Sequence, residues 1–185
     1  MRKISLFMHV SLNGYFEGPN HDISFFKQGD ENNAFFREQT SEGATMLFGQ
    51  RTYELMKSWW PTQQAKEANP EMAKFMNETP KVVVAHQPFE PGWNNVTVIS
   101  GDVAGEIRKL KEQPGKHIVI LGSNTLCVSL MQEGLVDEFQ IMVNPVALGD
   151  GTSLFKGLPE KADLKLLKTR EFKSGNILLT YEPVH

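Results

Sequence analysis

Short apolar runs alternate with amphipathic segments along most of the chain. Three of these runs, at residues 45–48, 82–85 and 118–121, show no alternation of apolar and polar positions and are bounded by turn residues. This pattern is typical of strands that are buried on both faces, as in the centre of a parallel sheet. The run at residues 4–10 predicts a further strand at the start of the chain.

The amphipathic segments have recognisable helix ends. Asn69 followed by Pro70 predicts the cap and the first residue of one helix. Asp102 is the predicted cap of the next helix. A third helix is expected from about Asn124 to Gln132, before Gly134 ends the apolar stripe. Strands and helices therefore alternate, which favours an α/β sheet with right-handed crossovers.

The pattern changes in the last third of the chain. Residues 137–146 predict a strand, and residues 164–172 and 176–181 predict two more strands that form a hairpin. The expected fold is therefore α/β, with a mostly parallel central sheet that is flanked by helices and ends in an antiparallel C-terminal hairpin.

Composition narrows the classes of protein that fit this pattern. The chain has 185 residues, of which 40% are hydrophobic, and this predicts a single domain over residues 1–185. A formal net charge of −3 argues against binding to nucleic acid or to anionic membranes through bulk charge. No run approaches the roughly 18 apolar residues of a membrane span. One cysteine and no recognisable signal peptide predict a cytoplasmic protein.

The standard catalytic and metal-binding motifs are missing from the sequence. Neither GxGxxG nor GxxxxGK[ST] occurs, so the usual dinucleotide and P-loop fingerprints fail. The chain has no HExxH motif, no CxxC pair and no histidines at ligand spacing, so we expect no bound metal. Because GxSxG is also missing, nucleophilic hydrolysis has no support.

Three of the predicted strands lead into segments that suit phosphate binding. Parallel strands place such segments at one edge of the sheet, where the free N–H groups of helix N-termini attract anions. After the first of these strands, Gly49 permits close backbone approach, and Arg51 and Thr52 fall in the first turn of a helix. The alternative is an ordinary strand-to-helix junction with a surface arginine.

The other two strand ends are less distinctive. One of them opens the third helix with a glycine and small polar residues, in the order Leu121, Gly122, Ser123, Asn124, Thr125. Such residues suit a backbone phosphate cradle, but helix capping alone explains the same residue types. The other strand end is Ala85 with His86, and this histidine is either a ligand or an ordinary turn residue.

Four segments form a recognisable set when they are taken in chain order. They are Ser11 to Tyr15, Phe48 to Glu54, Ile120 to Ser123, and Glu133 to Phe139 followed by Asn144 to Gly151. Together they resemble the RibD C-terminal-domain family, and the resemblance covers essentially the whole chain. It implies a dihydrofolate reductase-like fold and an NADPH-dependent reductase, usually a homodimer, related to the pyrimidine reductase of riboflavin biosynthesis.

The resemblance also implies roles for individual residues. Arg51 and Thr52 would meet the cofactor phosphates, Gly122 to Thr125 would hold the pyrophosphate, and Ala85 and His86 would lie near the adenosine ribose. Val10, at the end of the first strand, and Asn13, in the loop after it, would lie beside the nicotinamide and the substrate. The family commonly has aspartate in place of Asn13, so a carboxylate that could orient a substrate amino group is here a neutral amide. It also commonly has arginine or serine in place of His86, so NADH stays open beside NADPH.

A reductase of this kind also needs a proton donor and a pocket for its substrate. The candidate donors, of which at most one serves, are Asp22, Asp30 and Glu31. A solvated loop or helix-cap acid is the alternative for each. Phe26 and Trp60 are candidate pocket residues, although aromatic residues at these spacings also occur simply as core.

The leading hypothesis is an NADPH-dependent reductase whose substrate is a small planar heterocycle, of pyrimidine, pterin or quinone type. A second hypothesis is a nucleotide-binding or regulatory dimer that keeps the fold without turnover. The third is a dimeric interaction protein with empty strand ends. The expected partners are a small molecule and a second copy of the chain, with no nucleic acid and no membrane.

Overall fold

The computed structural model describes residues 1–27, 29–40 and 43–184. Ten strands lie in this part of the chain. In chain order they are β1 (Ile4–Ser11), β2 (Tyr15–Glu17), β3 (Thr45–Gly49), β4 (Lys81–Val84), β5 (Val96–Ile99), β6 (Ile118–Leu121), β7 (Glu138–Asn144), β8 (Thr152–Ser153), β9 (Leu164–Glu171) and β10 (Ile177–Pro183).

Six α-helices connect or follow these strands in the same part of the chain. They are α1 (Asp30–Thr40), α2 (Gln50–Trp59), α3 (Gln63–Ala68), α4 (Pro70–Glu78), α5 (Val103–Glu112) and α6 (Asn124–Gln132). A single 3-10 turn covers Pro19–His21. None of the helices in the described ranges is long and apolar enough to cross a membrane.

Eight strands form one sheet in the order β5-β4-β3-β6-β1-β7-β10-β9, and β2 pairs separately with β8. The six strands from β5 to β7 are mutually parallel, whereas β10 runs antiparallel to both β7 and β9. The predicted fold class is therefore confirmed, including the antiparallel C-terminal hairpin. The three runs predicted as central strands are β3, β4 and β6, which are neighbours in the sheet.

The central strand β1 is buried along its whole length, with neighbours on both sides and side chains packed on both faces. Its even-numbered residues, from Ile4 to Val10, belong to the largest hydrophobic cluster. Phe7 points to the opposite face and packs with Phe35 of α1 and Phe172 of the hairpin. This two-sided burial is the reason that the strand reads as a nearly continuous apolar run.

The predicted helix caps form as expected. The side chain of Asn69 accepts a hydrogen bond from the N–H of Met72, and Asp102 accepts one from the N–H of Gly105. The hydrophobic pattern does not single out β5, β2 or β8. These strands are short and only partly buried, and neighbours that are distant in sequence stabilise them.

Candidate active site

The carboxyl ends of β3 and β6 lie side by side, and α2 and α6 begin there. Two glycines allow this close approach. A Cβ atom added to Gly49 would collide with the side chain of Ser123, and one added to Gly122 would lie 2.9 Å from Cγ2 of Thr52. The two strand ends predicted from sequence as phosphate sites therefore contact each other through these four residues.

The start of α6 leaves its backbone donors open. Gly122 and Ser123 both have positive φ angles, of 68° and 67°, and the side chain of Ser123 makes no capping hydrogen bond. Within the described ranges, the N–H groups of residues 122–125 donate to no protein group. Open N–H groups at a helix N-terminus favour an anion, so helix capping by Ser123 does not account for this segment.

Asn124 and Thr125 form the rim of this site. The side-chain amide of Asn124 donates to the carbonyl of Lys156 over a long distance of 3.4 Å, and the hydroxyl of Thr125 contacts the amide oxygen of Asn124. Leu121, at the end of β6, is partly buried against aromatic residues of the core. Asn124 therefore ties the helix start to the segment that follows β8.

Arg51 lies in the first turn of α2, where the sequence predicts it, and it is fixed by a residue that the sequence analysis missed. Its guanidinium donates to a carboxylate oxygen of Glu17 over 3.0 Å. The Arg51 side chain is 64% exposed, whereas that of Glu17 is only 7% exposed. A cation on a rigid carboxylate therefore stands beside the two helix N-termini.

The third strand end adjoins the first, because β4 pairs with β3. Ala85 is buried and its N–H donates to the carbonyl of Ile99, whereas His86 is exposed. The ends of β4, β3 and β6 thus follow one another along the carboxyl edge of the sheet. This order brings together all of the predicted cofactor residues on α2, on α6 and after β4.

Val10 and Asn13 lie next along the edge, at the end of β1, but Asn13 is fully used within the chain. Its amide oxygen accepts hydrogen bonds from the hydroxyl of Ser11 and the N–H of Leu148, and its amide nitrogen donates to the carbonyl of Leu148. Val10 is buried in the large core cluster. Asn13 therefore joins the turn after β1 to the loop after β7.

A buried histidine on the other face of β1 is a second feature that the sequence analysis missed. His9 stacks on Phe26 with ring centroids 4.6 Å apart, and its Nδ1 lies 3.3 Å from the amide nitrogen of Asn144. Burial lowers the pKa of His9 to about 4, and the hydrogen bond to Asn144 opposes this only in part. His9 is therefore a neutral ring at physiological pH, and Phe26 packs against it.

The three candidate proton donors occupy different surroundings. Asp22 is exposed, and hydrogen bonds from Ser24 lower the pKa of its carboxyl group. Asp30 is exposed in the first turn of α1. Glu31 is partly buried in the same turn, and its carboxylate accepts the N–H of Lys173 over 2.6 Å. This contact places the start of α1 at the carboxyl edge, because Lys173 lies in the hairpin turn after β9.

Trp60 does not join the other predicted site residues. It follows the last residue of α2, whereas Arg51 lies in the first turn of that helix. Its carbonyl accepts a hydrogen bond from Asn77 of α4, and its ring packs with the cluster around Tyr53. A helix of ten residues spans about 15 Å, so Trp60 lies towards the opposite edge of the sheet.

The site has no cluster of metal ligands. Among the residues with described positions, no three His, Cys, Asp or Glu side chains come close enough to hold a metal ion. The open N–H groups, the close approach at the two glycines and the single fixed arginine suit the phosphates of a dinucleotide instead.

The mostly parallel sheet that ends in an antiparallel hairpin defines a dihydrofolate reductase-like fold. The family can also be stated. The model of the RibD C-terminal domain matches residues 2–178, and the chain belongs to that family.

Individual relatives agree with this assignment. The chain is 29% identical over 180 residues to the uncharacterised protein YyaP of Bacillus subtilis (strain 168), a match that covers 97% of this chain and 94% of YyaP. A candidate riboflavin biosynthesis protein from Shewanella sp. PV-4 has the same fold, with a TM-score of 0.78, 18% identity and 99% of both chains covered. Dihydrofolate reductase from Enterococcus faecalis, solved with NADP(H), gives a TM-score of 0.68 at 14% identity and covers 99% of this chain and 97% of its own.

Proposed function

We propose that this protein is an NADPH-dependent reductase of a small planar heterocycle, of the pyrimidine or pterin type. The observation that carries the proposal is the pair of helix N-termini at Gly49 and Gly122, beside Arg51, in a chain of the RibD C-terminal domain family. The cofactor, when bound, supplies the hydride. The protein has to bind the phosphates, hold both rings in place, exclude water and provide a proton.

The phosphate-binding role falls to three groups. The open N–H groups at the start of α6 would hold the pyrophosphate, with Thr52 beside them, and Arg51 would supply the full positive charge. Such local fields explain how a chain with a net charge of −3 can bind an anionic dinucleotide. Ala85 and His86 would lie on the adenosine side. NADH therefore remains an alternative cofactor, because no arginine stands at His86.

The substrate would lie at the end of β1, against His9 and Phe26. The ring of His9 is neutral, and this suits a neutral heterocycle, whereas the buried amide of Asn144 is already bonded to the backbone of Lys27, Val10 and Met142. Asp30 and Glu31 are better candidate proton donors than Asp22, because a lowered pKa makes Asp22 a weak general acid at neutral pH. Which of the two donates can be tested by replacing each with its amide.

Titration with NADPH tests the proposed function directly. We expect saturable quenching of tryptophan fluorescence at submillimolar NADPH, and Arg51→Ala should weaken binding about tenfold through the loss of one charge-assisted contact. Arg37→Ala provides a matched control, because Arg37 lies in the last turn of α1. The proposal is wrong if the unmodified protein shows no saturable change.

A second candidate function is a nucleotide-binding module without turnover. It is favoured by Asn13, whose polar atoms are all engaged in the chain, and by the exposure of Asp22 and Asp30. This function predicts saturable NADPH binding with no NADPH oxidation in the presence of pterins, aminopyrimidine ribitols or quinones. Oxidation with any of these acceptors excludes it.

We also propose that the protein is a homodimer, as the sequence resemblance to the RibD C-terminal-domain family implies. The edge strand β9 supports this, because Leu166 and Leu167 are 50% and 46% exposed and only one side of the strand is paired. An open, partly apolar edge strand favours pairing with another chain.

A further inference from the structure

Glu17 is a buried carboxylate that binds three separate segments at the candidate site. One carboxylate oxygen accepts the hydroxyl of Thr152 over 2.9 Å and lies 3.0 Å from Nδ1 of His21. The other oxygen accepts the guanidinium of Arg51 over 3.0 Å. Glu17 itself lies in β2, whose pairing with β8 fixes the backbone on which the carboxylate stands. The carboxylate is therefore a rigid acceptor.

Arg51 reaches this acceptor from the exposed side. An exposed ion pair between two mobile side chains contributes little, because both lose rotamer freedom. Here the Glu17 carboxylate is already immobile, so only the Arg51 side chain loses rotamer freedom when the ion pair forms. One terminal nitrogen of the guanidinium contacts Glu17, and the remaining N–H groups of the fork stay available to an anion.

We propose that Glu17 is a positioning residue for Arg51, which it holds in the orientation that binds the phosphate of the dinucleotide. This inference rests on the proposed function. Glu17 acts through Arg51 and does not touch the cofactor. Its negative charge opposes anion binding, so the positioning role requires that the gain from orienting the arginine exceed this repulsion.

A double-mutant cycle tests this role, with the dissociation constant of NADP⁺ measured by calorimetry. Four proteins are compared: the unmodified chain, Glu17→Gln, Arg51→Ala and the double variant. We expect Glu17→Gln to weaken binding about fivefold, the scale of immobilising one long side chain. In the Arg51→Ala background the same substitution should not weaken binding, because there is no arginine left to orient, and the loss of a carboxylate that repels the phosphate should tighten it slightly.

Glu133→Gln is the matched control. Glu133 also accepts a guanidinium, that of Arg108, but at the C-terminal end of α6. This variant should bind NADP⁺ as tightly as the unmodified chain. Thermal unfolding of each variant shows whether it is folded. If Glu17→Gln does not fold, Thr152→Val replaces it in the test, because it removes the hydroxyl that anchors the Glu17 carboxylate. The proposal then expects weaker binding for Thr152→Val, and no further weakening by it in the Arg51→Ala background.

Each outcome decides between the two proposals. Equal weakening by Glu17→Gln with and without Arg51 would mean that Glu17 supports only the local structure, and the positioning role would be wrong. Tighter binding by Glu17→Gln would mean that the carboxylate competes with the phosphate, and this also overturns it. Both results leave the dinucleotide site intact. No NADP⁺ binding by the unmodified chain would overturn the positioning role and the proposed function together.

Discussion

At the scale of single residues, the site depends on groups whose surroundings differ sharply from water. His9 is buried between Phe26 and the amide of Asn144, and the cost of burying an imidazolium keeps it neutral. Gly122 shows a different constraint. Its left-handed backbone and the nearby methyl group of Thr52 leave room for a hydrogen atom only. Individual residues thus determine both the charge and the available space at this edge of the sheet.

The burial of His9 predicts a loss of stability in mild acid. Its pKa is about 4 in the folded protein against the ordinary value of 6.5, so between these values the unfolded chain binds a proton that the folded chain does not. Stability is therefore fully present above about pH 6.5 and falls as the pH drops towards 4, by about 3 kcal/mol in total. Urea unfolding of the unmodified chain and of His9→Gln at pH 7 and pH 4.5 measures this change. Between the two pH values, the free energy of unfolding should fall less for the variant than for the unmodified chain.

A glycine pair separates backbone strain from crowding. Gly122→Ala should cost about 1–2 kcal/mol for its left-handed backbone, and more for the contact with Thr52, which a Cβ would approach to 2.9 Å. Gly134 has a similar φ of 64° and open space around it, so Gly134→Ala should cost the backbone strain alone. Chemical denaturation measures both. Equal losses would mean that the approach of Gly122 to Thr52 is not tight.

At the scale of elements, the site is assembled from helix starts and loops that are held together by a few polar side chains. Asn13 joins the turn after β1 to the loop after β7 with two hydrogen bonds to Leu148, and it accepts a third from Ser11. Glu17 joins β2 to the start of α2, and Glu31 joins α1 to the hairpin turn. Each contact links segments far apart in the chain, so the carboxyl edge is more ordered than its loops alone suggest.

The Asn13 contacts can be tested with a neighbouring residue as the control. Asn13→Ala removes three hydrogen bonds and should destabilise the protein by about 1–2 kcal/mol, a modest figure because the residue is exposed. Leu12 is 71% exposed, and Leu12→Ala should change the stability by less than about 0.5 kcal/mol. Thermal unfolding compares the two, and similar Tm values would show that the Asn13 contacts contribute nothing.

Sequence reasoning succeeds here where the signal is local. The runs that form β3, β4 and β6 and the caps at Asn69 and Asp102 carry their information in a few adjacent residues, and the structure agrees with them. Arg51 is found at its helix start for the same reason. Glu17 and His9 are missed because their partners, Arg51 and Asn144, lie 34 and 135 residues away. Trp60 lies away from the other predicted site residues, and the sequence does not reveal this because the direction in which α2 leaves the sheet is a tertiary property.

At the scale of the whole molecule, two edges of the sheet differ: the carboxyl edge carries the candidate site, and the edge strand β9 has no neighbouring strand on its outer side. The carboxyl edge collects the predicted cofactor residues in the strand order β4-β3-β6-β1. The outer side of β9, by contrast, presents exposed leucines and unpaired backbone groups. A homodimer that uses β9 would cover these groups and leave the carboxyl edge accessible.

Light scattering after gel filtration measures the oligomeric state. We expect a mass of twice 20.9 kDa for the unmodified chain. Leu166→Lys should shift the mass to that of a monomer, because an added charge on an edge strand opposes pairing. Leu55→Lys is the control, since Leu55 is 52% exposed on α2. A monomer at all concentrations would contradict the proposed dimer, and a dimer that tolerates Leu166→Lys would exclude β9 as its interface.

The position of β1 in the sheet has a consequence for how the protein is made. This strand leaves the ribosome well before its two neighbours, which lie more than a hundred residues later, at residues 118–121 and 138–144. A nascent chain must therefore keep an apolar strand unpaired at least until residues 118–121 have been made, and contacts this distant in sequence form slowly. The turn that carries Asn13, and β2 with Glu17, follow β1 directly. The carboxyl edge is thus completed only when β1 enters the sheet, so a partly folded chain has no functional part of the site.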